Sequence, residues 1–247
     1  MTRAAFDLSG KIALITGGSR GLGLAMARAF ADHGADIIIA SRKLDACEAA
    51  ADDVRARGRK AWAFAAHCGR WQEIDDLIAR AYSAAGRIDI LVNNAGIGPA
   101  IPSPDVTEDA FDKVIGLNFK GPFRLAAQIG ARMREGEGGA ILNISSVASI
   151  LPIPHVAPYA GAKAALNAIT VSLAHEFAPK VRVNAILAGP FLTDIAKAWP
   201  EEARQRAPNA LQRPGTPEEI VTSALYLVSP ASSFTTGALL RVDGAMT

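Results

Sequence analysis

Short, unbroken apolar runs alternate along this chain with longer segments whose apolar residues recur every three or four positions. The runs cover 12–16, 35–40, 61–65, 88–92, 139–145, 181–187 and 238–242. Stretches such as Ile37-Ile38-Ile39 place apolar side chains on both sides of a strand, which suits a sheet covered on both faces. The helical pattern occupies 22–33, 43–57, 71–85, 107–134, 158–178 and 217–228. Strand alternating with helix throughout predicts an α/β fold, a doubly wound, mostly parallel seven-stranded sheet with helices on both faces. No Pro/Gly/Ser-rich linker, repeat or low-complexity tract interrupts the order, so 1–247 reads as a single domain. The one long irregular connection, 189–216, carries Pro190, Pro200, Pro208 and Pro214 and is expected to form a substrate loop or lid.

Composition narrows the functional classes. Half the residues are apolar, a fifth are charged and the net charge is +2, with no Lys/Arg run, so a nucleic-acid partner is not expected. No apolar stretch approaches the ~18 residues of a membrane span. The start, Met1-Thr2-Arg3-Ala4-Ala5-Phe6-Asp7, has no apolar leader core. Cys47 and Cys68 make neither a disulfide framework nor a metal site. A cytoplasmic protein with reduced thiols is the expectation.

The first strand runs into Gly17-Gly18-Ser19-Arg20-Gly21-Leu22-Gly23 and then a helix. Glycines there let the backbone approach a pyrophosphate, which rests on the helix N-terminus where free N–H groups and the dipole favour an anion. The spacing is Gly-x3-Gly-x-Gly rather than Gly-x-Gly-x-x-Gly. The same residues satisfy Gly-x-Ser-x-Gly, the nucleophile elbow of α/β-hydrolases. That motif needs several strands upstream, and only sixteen residues precede Gly17. At the end of the second strand, where an acid would bind the adenosine ribose of NAD, stand Ser41, Arg42 and Lys43. A carboxylate would repel a 2′-phosphate, whereas Arg42 and Ser41 can bind one, and Arg20 could approach it from the glycine turn. NADP(H) is therefore expected over NAD(H).

Tyr159 and Lys163 stand four residues apart at the start of a helical segment, which places them on one face. A neighbouring cation favours the phenolate, so the pair is expected to lower the tyrosine pKa and fit it for proton transfer. Such pairs also occur on solvated helices, and the rest of the chain decides between the two readings.

With these motifs in order, the chain resembles the short-chain dehydrogenase/reductase family over essentially its whole length. The resemblance is carried by Thr16-Gly17-x3-Gly21-x-Gly23, Asn93-Asn94-Ala95-Gly96, Asn118, Ser146, Tyr159-x3-Lys163 and the ending Val242-Asp243-Gly244. It implies a Rossmann-like fold and a catalytic tetrad. Tyr159 would be the general acid/base, and Lys163 would tune it and hold the nicotinamide ribose. Ser146 would bind the reacting oxygen, and Asn118 would hold a water in a proton relay. It also implies cofactor contacts from Gly17, Ser19, Arg20, Gly21, Leu22 and Gly23 in the first turn. Further contacts are implied from Asn93, Ala95 and Gly96, from Gly189 and from Thr193, and from His67 and Cys68 at the adenine. The family usually carries Pro-Gly where this chain has Ala188-Gly189, an acid-aliphatic pair where it has His67-Cys68, and glycine where it has Ala245. Without the proline, the start of the 189–216 loop is expected to be looser. His67 could reach the adenine amino group only as an acceptor.

The resemblance implies interconversion of a ketone and a secondary alcohol. The expected pocket walls are Ile101, Ile150, Leu151, Ile153, Val156, Phe191, Leu192, Ile195 and Trp199, which suit an apolar small-molecule substrate, with His155 as a polar exception. A 3-oxoacyl-carrier-protein reductase is the nearest alternative and would need cations such as Arg132, Arg134, Lys180 and Arg182 at the pocket mouth. A non-catalytic NADP-sensing protein of this fold is another, though such proteins usually lack the tyrosine or the lysine. Apolar faces on 107–134 (Val114, Leu117, Phe123, Leu125) and 158–178 (Leu166, Ile169, Leu173, Phe177), with the resemblance, imply a homotetramer.

Overall fold

The computed structural model describes residues 6–194, 196 and 199–246. Of the expected pocket walls, Ile195 lies outside them. Seven strands, β1 (Ile12–Thr16), β2 (Asp36–Ser41), β3 (Ala61–Ala65), β4 (Ile90–Asn93), β5 (Gly139–Ser146), β6 (Val181–Ala188) and β7 (Leu239–Val242), form one sheet in the order β3-β2-β1-β4-β5-β6-β7. Every pairing is parallel. The side-chain period of two explains why these strands are apolar throughout. Ala13, Ile15, Ile37 and Ile39 enter the core on one face, while Leu14, Ile38 and Leu91 enter the core on the other.

Helices α1 (Gly21–Asp32), α2 (Leu44–Ala56), α3 (Trp71–Ala85), α5 (Gly121–Glu135) and α6 (Ala157–Phe177) fill the crossovers, with α4 (Glu108–Ile115) ahead of α5. A short α7 (Glu201–Gln205) interrupts the 189–216 connection, and a 3₁₀ turn at Pro217–Ile220 leads into α8 (Val221–Val228). The chain winds from β1 out to β3 on one side and from β4 to β7 on the other. The order therefore reverses beside β1, and the carboxyl ends of β1 and β4 open a crevice.

The segment 107–134, expected as one helix, is two. Between α4 and α5 lies a π turn, Gly116–Lys120, which contains Asn118. The Asn118 side-chain amide donates to the Val114 carbonyl four residues back at 2.9 Å, within the stretch where the helical ladder widens. Pro122 follows and brings no N–H to restore it. A Cβ on Gly121 would lie 1.7 Å from the Cys68 carbonyl oxygen, so only glycine lets α5 seat here. Gly121→Ala is expected to destabilise the fold by about 3 kcal/mol through overpacking, measured as a lowered urea midpoint at unchanged m-value.

Most of the apolar residues expected between subunits cover the chain's own sheet: Leu125, Leu173 and Phe177 are buried in the core beside β4 and β5. Phe123 and Val171 keep about a third of their surface exposed.

Candidate active site

The crevice at the strand carboxyl ends is a cavity of ≈ 510 Å³. On one wall Gly17, Ser19, Arg20, Gly21 and Leu22 form the β1–α1 turn. Gly17 takes φ +63°, and a Cβ on Gly23 would lie 2.3 Å from the Gly17 carbonyl oxygen. Gly23 thus packs the turn from behind and does not line the cavity. Helix α1 begins with no side-chain cap and no acid in its first turn, so its leading N–H groups and dipole face the cavity uncompensated.

Asn94, which lines the cavity, holds this turn from β4. Its Nδ2 donates to the Thr16 carbonyl at 2.9 Å and to the Gly17 carbonyl at 3.2 Å. Asn93 points the other way: its Nδ2 donates to Asn143 Oδ1 at 2.9 Å and to the Pro122 carbonyl at 3.2 Å, beneath the site. Ala95 and Gly96 line the cavity as expected of a close backbone approach. In the doublet of asparagines, the alternation of a strand end distinguishes the two roles.

At the end of β2, Ser41, Arg42 and Lys43 also line the cavity. Ser19 Oγ and Ser41 Oγ hydrogen bond at 3.0 Å, and Ser41 Oγ lies 3.1 Å from Cys47 Sγ, which fixes the separation of the two loops. Arg42 and Lys43 are exposed. Arg20 does not sit free beside them: its guanidinium donates to Asp194 at 3.1 Å, joining the glycine turn to the 189–216 loop. Thr193 lies against Gly21, and Gly189 lines the cavity beside it. At the start of that loop the Gly189 N–H donates to the Val242 carbonyl at 2.9 Å, which ties the loop to β7. Farther on, Ala245 holds φ +61° where the family favours glycine, a strain of about 1 kcal/mol.

Cys68 lines the cavity, and burial pushes its thiol pKa up to about 12. His67 does not line it. Its Nδ1 accepts the Gly69 N–H at 3.1 Å, so the other nitrogen of the neutral ring carries the proton and is a donor. The expected acceptor role toward an adenine amino group is therefore closed.

Opposite the glycine turn, β5 and α6 bring Ser146, Tyr159 and Lys163 to one wall. Ser146 Oγ accepts the Ala148 N–H at 3.2 Å and shares the cavity wall with Tyr159. Ser145 Oγ is committed to the Lys163 carbonyl at 3.3 Å. Lys163 is buried; its Nζ donates to the Ile144 carbonyl at 2.8 Å and lies 5.7 Å from the centre of the Tyr159 ring. Burial lowers the Lys163 pKa to about 8. The tyrosine departs from the sequence expectation: burial raises its pKa, and the nearby Ser146 hydroxyl only partly opposes this. Desolvation therefore sets the direction when the protein's own groups act alone.

Asn118 is fully buried and does not line the cavity. Its Nδ2 donates to the Ile97 carbonyl at 2.7 Å and to the Val114 carbonyl, and its Oδ1 accepts the Ile97 N–H at 3.2 Å. Both amide donors are spent on backbone, so the side chain braces the Ile97–Gly98 wall instead of presenting a donor to a water.

The remaining walls near Ser146 and Tyr159 are Val147, Ile153, Val156, Phe191, Trp199 and Met246. Ile150 and Leu192 are exposed, Leu151 packs beneath β6, and Ile101 borders a separate small recess with His155. His155 itself is exposed at φ +65°. None of the four cations weighed for a carrier protein lines the cavity. Arg182 donates to the carbonyls of Leu227, Ser229 and Thr235, Arg132 stacks on Tyr82, Arg134 lies over Phe177, and Lys180 donates to Gly136.

A strand–glycine turn–helix cradle facing a serine, tyrosine and lysine is the architecture of a nicotinamide-dependent oxidoreductase. A family model described as short chain dehydrogenase matches residues 11–204, and the chain belongs to the short-chain dehydrogenase/reductase family. It is 39% identical, over 98% of its length and 94% of the relative's, to an uncharacterised oxidoreductase of Mycobacterium tuberculosis. A solved 7α-hydroxysteroid dehydrogenase complexed with NADH and 7-oxo glycochenodeoxycholic acid superposes with TM-score 0.92 at 33% identity, covering 99% of this chain and 97% of that one. A putative NAD(P)-dependent gluconate 5-dehydrogenase from Beutenbergia cavernae with bound NADP gives TM-score 0.91 at 33% identity, covering 97% and 98%.

Proposed function

We propose that this protein is an NADP(H)-dependent oxidoreductase that interconverts an apolar ketone and its secondary alcohol, with Tyr159 as general acid in reduction and general base in oxidation. The observation that carries this reading is the convergence of Ser146 and Tyr159 on one cavity wall with the buried Lys163 ammonium beside them.

The chain's residues fit a dinucleotide. The uncapped start of α1 suits the pyrophosphate, Asn94 braces the turn that holds it, and Lys163 lies within the cavity for the nicotinamide ribose. When bound, the nicotinamide supplies or accepts the hydride. Ser146 Oγ accepts from Ala148, which leaves its own proton free to donate to the substrate oxygen. Tyr159 gives that oxygen its proton, and each aligned donor there is worth about 3 kcal/mol as negative charge develops. Lys163, held by the Ile144 carbonyl, stabilises the phenolate that remains. Asn118 keeps the Ile97–Gly98 wall, against which the Tyr159 ring lies, in place.

Support for NADP(H) comes from the β2 end. Arg42 and Lys43 reach the cavity with no carboxylate on the end of β2 to repel a 2′-phosphate. The Arg20–Asp194 pair is solvent-exposed and worth less than about 1 kcal/mol, so a phosphate can recruit Arg20 from it. Arg42→Asp is expected to weaken NADPH binding by about fiftyfold and NADH binding by less than about threefold, by fluorescence titration. Equal dissociation constants of the wild-type protein for the two cofactors would remove the preference.

Support for an apolar substrate comes from the side chains around Ser146 and Tyr159, which include Val147, Ile153, Val156, Phe191, Trp199 and Met246. Turnover of cyclic or aryl ketones against polyhydroxy and phosphorylated carbonyls tests it; a preference for the latter would refute it. Phe123 and Val171, exposed on α5 and α6, are the surface through which a homotetramer would pair these helices. We infer that 189–216 serves as the substrate loop, since Phe191 and Trp199 from it stand in the cavity wall.

A further inference from the structure

We infer that Asn167 and Ser149 are positioning residues for Ser146, tying the turn that carries the serine to the helix that carries Tyr159 and Lys163. Tyr159, Lys163 and Asn167 follow one another at four-residue steps along α6, so they share a face. Asn167 Nδ2 donates to Ser149 Oγ at 2.8 Å, and Ser149 Oγ donates to the Ser146 carbonyl at 2.5 Å. Because Ser149 Oγ is already an acceptor from the amide, its proton is directed at that carbonyl. Ser146 is then fixed twice in the 3₁₀ turn Val147–Ser149: its carbonyl by Ser149, its Oγ by the Ala148 N–H.

The other ties across this seam act farther down. Ser145 Oγ reaches the Lys163 carbonyl, Lys163 Nζ reaches the Ile144 carbonyl, and Asn143 Nδ2 reaches Thr170 Oγ1 at 2.9 Å. Among the described residues, only the Asn167–Ser149 tie acts beyond the end of β5, on the turn itself. Stability does not account for Asn167. It is buried, and its Oδ1 meets no donor among the described residues, an arrangement that costs free energy an apolar side chain would not. What the tie does fix is the distance between two hydroxyls borne on different elements. Displacement of a reacting group by about 1 Å can cost a hundredfold in rate.

This role rests on the reading of Ser146 given above, and the experiment separates the two. In ketone reduction, Ser149→Ala and Asn167→Leu should each lower kcat at least tenfold, with KM for NADPH within twofold. Ser149→Thr, which keeps the hydroxyl, should recover most of the loss. In a Ser146→Ala background, adding Ser149→Ala should change kcat by less than twofold, because the tie then has nothing to aim. The apparent pKa of alcohol oxidation should rise in Ser149→Ala, as Tyr159 loses a well-placed donor, and stay put in Ser149→Thr. Wild-type kcat in both single variants, or an undiminished loss in the Ser146→Ala background, would overturn the positioning role. Wild-type turnover of Ser146→Ala alone would overturn the reading of Ser146 and this role with it. Thermal midpoints of all variants exclude loss of fold as the cause.

Discussion

Tyr159→Phe is expected to lower kcat for ketone reduction by about a thousandfold while leaving the NADPH dissociation constant within about threefold. The substitution removes one oxygen. The ring stays packed against Gly98, where a Cβ would already approach Tyr159 Cδ2 to 3.2 Å, so the wall keeps its shape. What disappears is the proton donor, and positioned acid–base groups contribute roughly 10²–10⁴-fold. The pyrophosphate cradle at α1 and the β2 end do not involve this residue, which is why binding should survive. Ser146 loses its partner hydroxyl as well, so Ser146→Ala added to Tyr159→Phe should cost far less than it does alone. Stopped-flow kinetics with fluorescence titration read both quantities in one preparation. Equal rates in the two proteins would exclude tyrosine as the acid and would favour a protein that senses its dinucleotide without turning it over.

The parts of this site that were legible in the sequence are those set by local periodicity. The glycine turn after β1, the strand pattern of Ile37-Ile38-Ile39 and the four-residue step from Tyr159 to Lys163 depend on neighbours along the chain; the structure places the first and last on the walls of one crevice and the three isoleucines in the sheet core. Strand ends shifted by one or two residues, as at β4, where hydrogen-bond ladders and apolar runs need not coincide. What was hidden depends on tertiary proximity. Arg20 pairs with Asp194 across 174 residues of chain, and Ser149 meets Asn167 across two elements. The π turn at Asn118 needed a side chain bonding to its own helix, and the close approach of Gly121 to the Cys68 carbonyl needed the packed fold. The direction of the Tyr159 pKa was misread because proximity to a cation is visible in spacing, whereas burial is not. Asn93 and Asn94 show a milder form of the same limit: the doublet announces a strand end, and only the ladder tells which amide braces the turn.

Lys163→Met is expected to abolish ketone reduction and, at the same time, to flatten the pH dependence of stability in a defined window. In the folded protein burial lowers the Lys163 pKa from 10.5 to about 8. The folded state therefore releases this proton near pH 8, while the unfolded chain holds it until about pH 10.5. Below pH 8 both states carry the charge, and the full cost of burying it is present. Between these values the unfolded state binds more protons, so the wild-type protein gains stability from this group as the pH rises. A fall from 10.5 to about 8 corresponds to a gain of about 3 kcal/mol across the window. Methionine fills similar space and does not titrate, so the difference in unfolding free energy between the variant and wild type should move by that amount in favour of wild type as the pH rises. Urea denaturation of both proteins across the window measures it, and parallel curves would mean that Lys163 is not desolvated. The ammonium is held in the wall at a cost to folding, with one hydrogen bond to the Ile144 carbonyl as direct compensation. The same charge is what must offset the desolvation that raises the Tyr159 pKa. Activity in reduction should accordingly decline as the pH passes about 8, where the lysine loses its proton and the phenolate loses its partner.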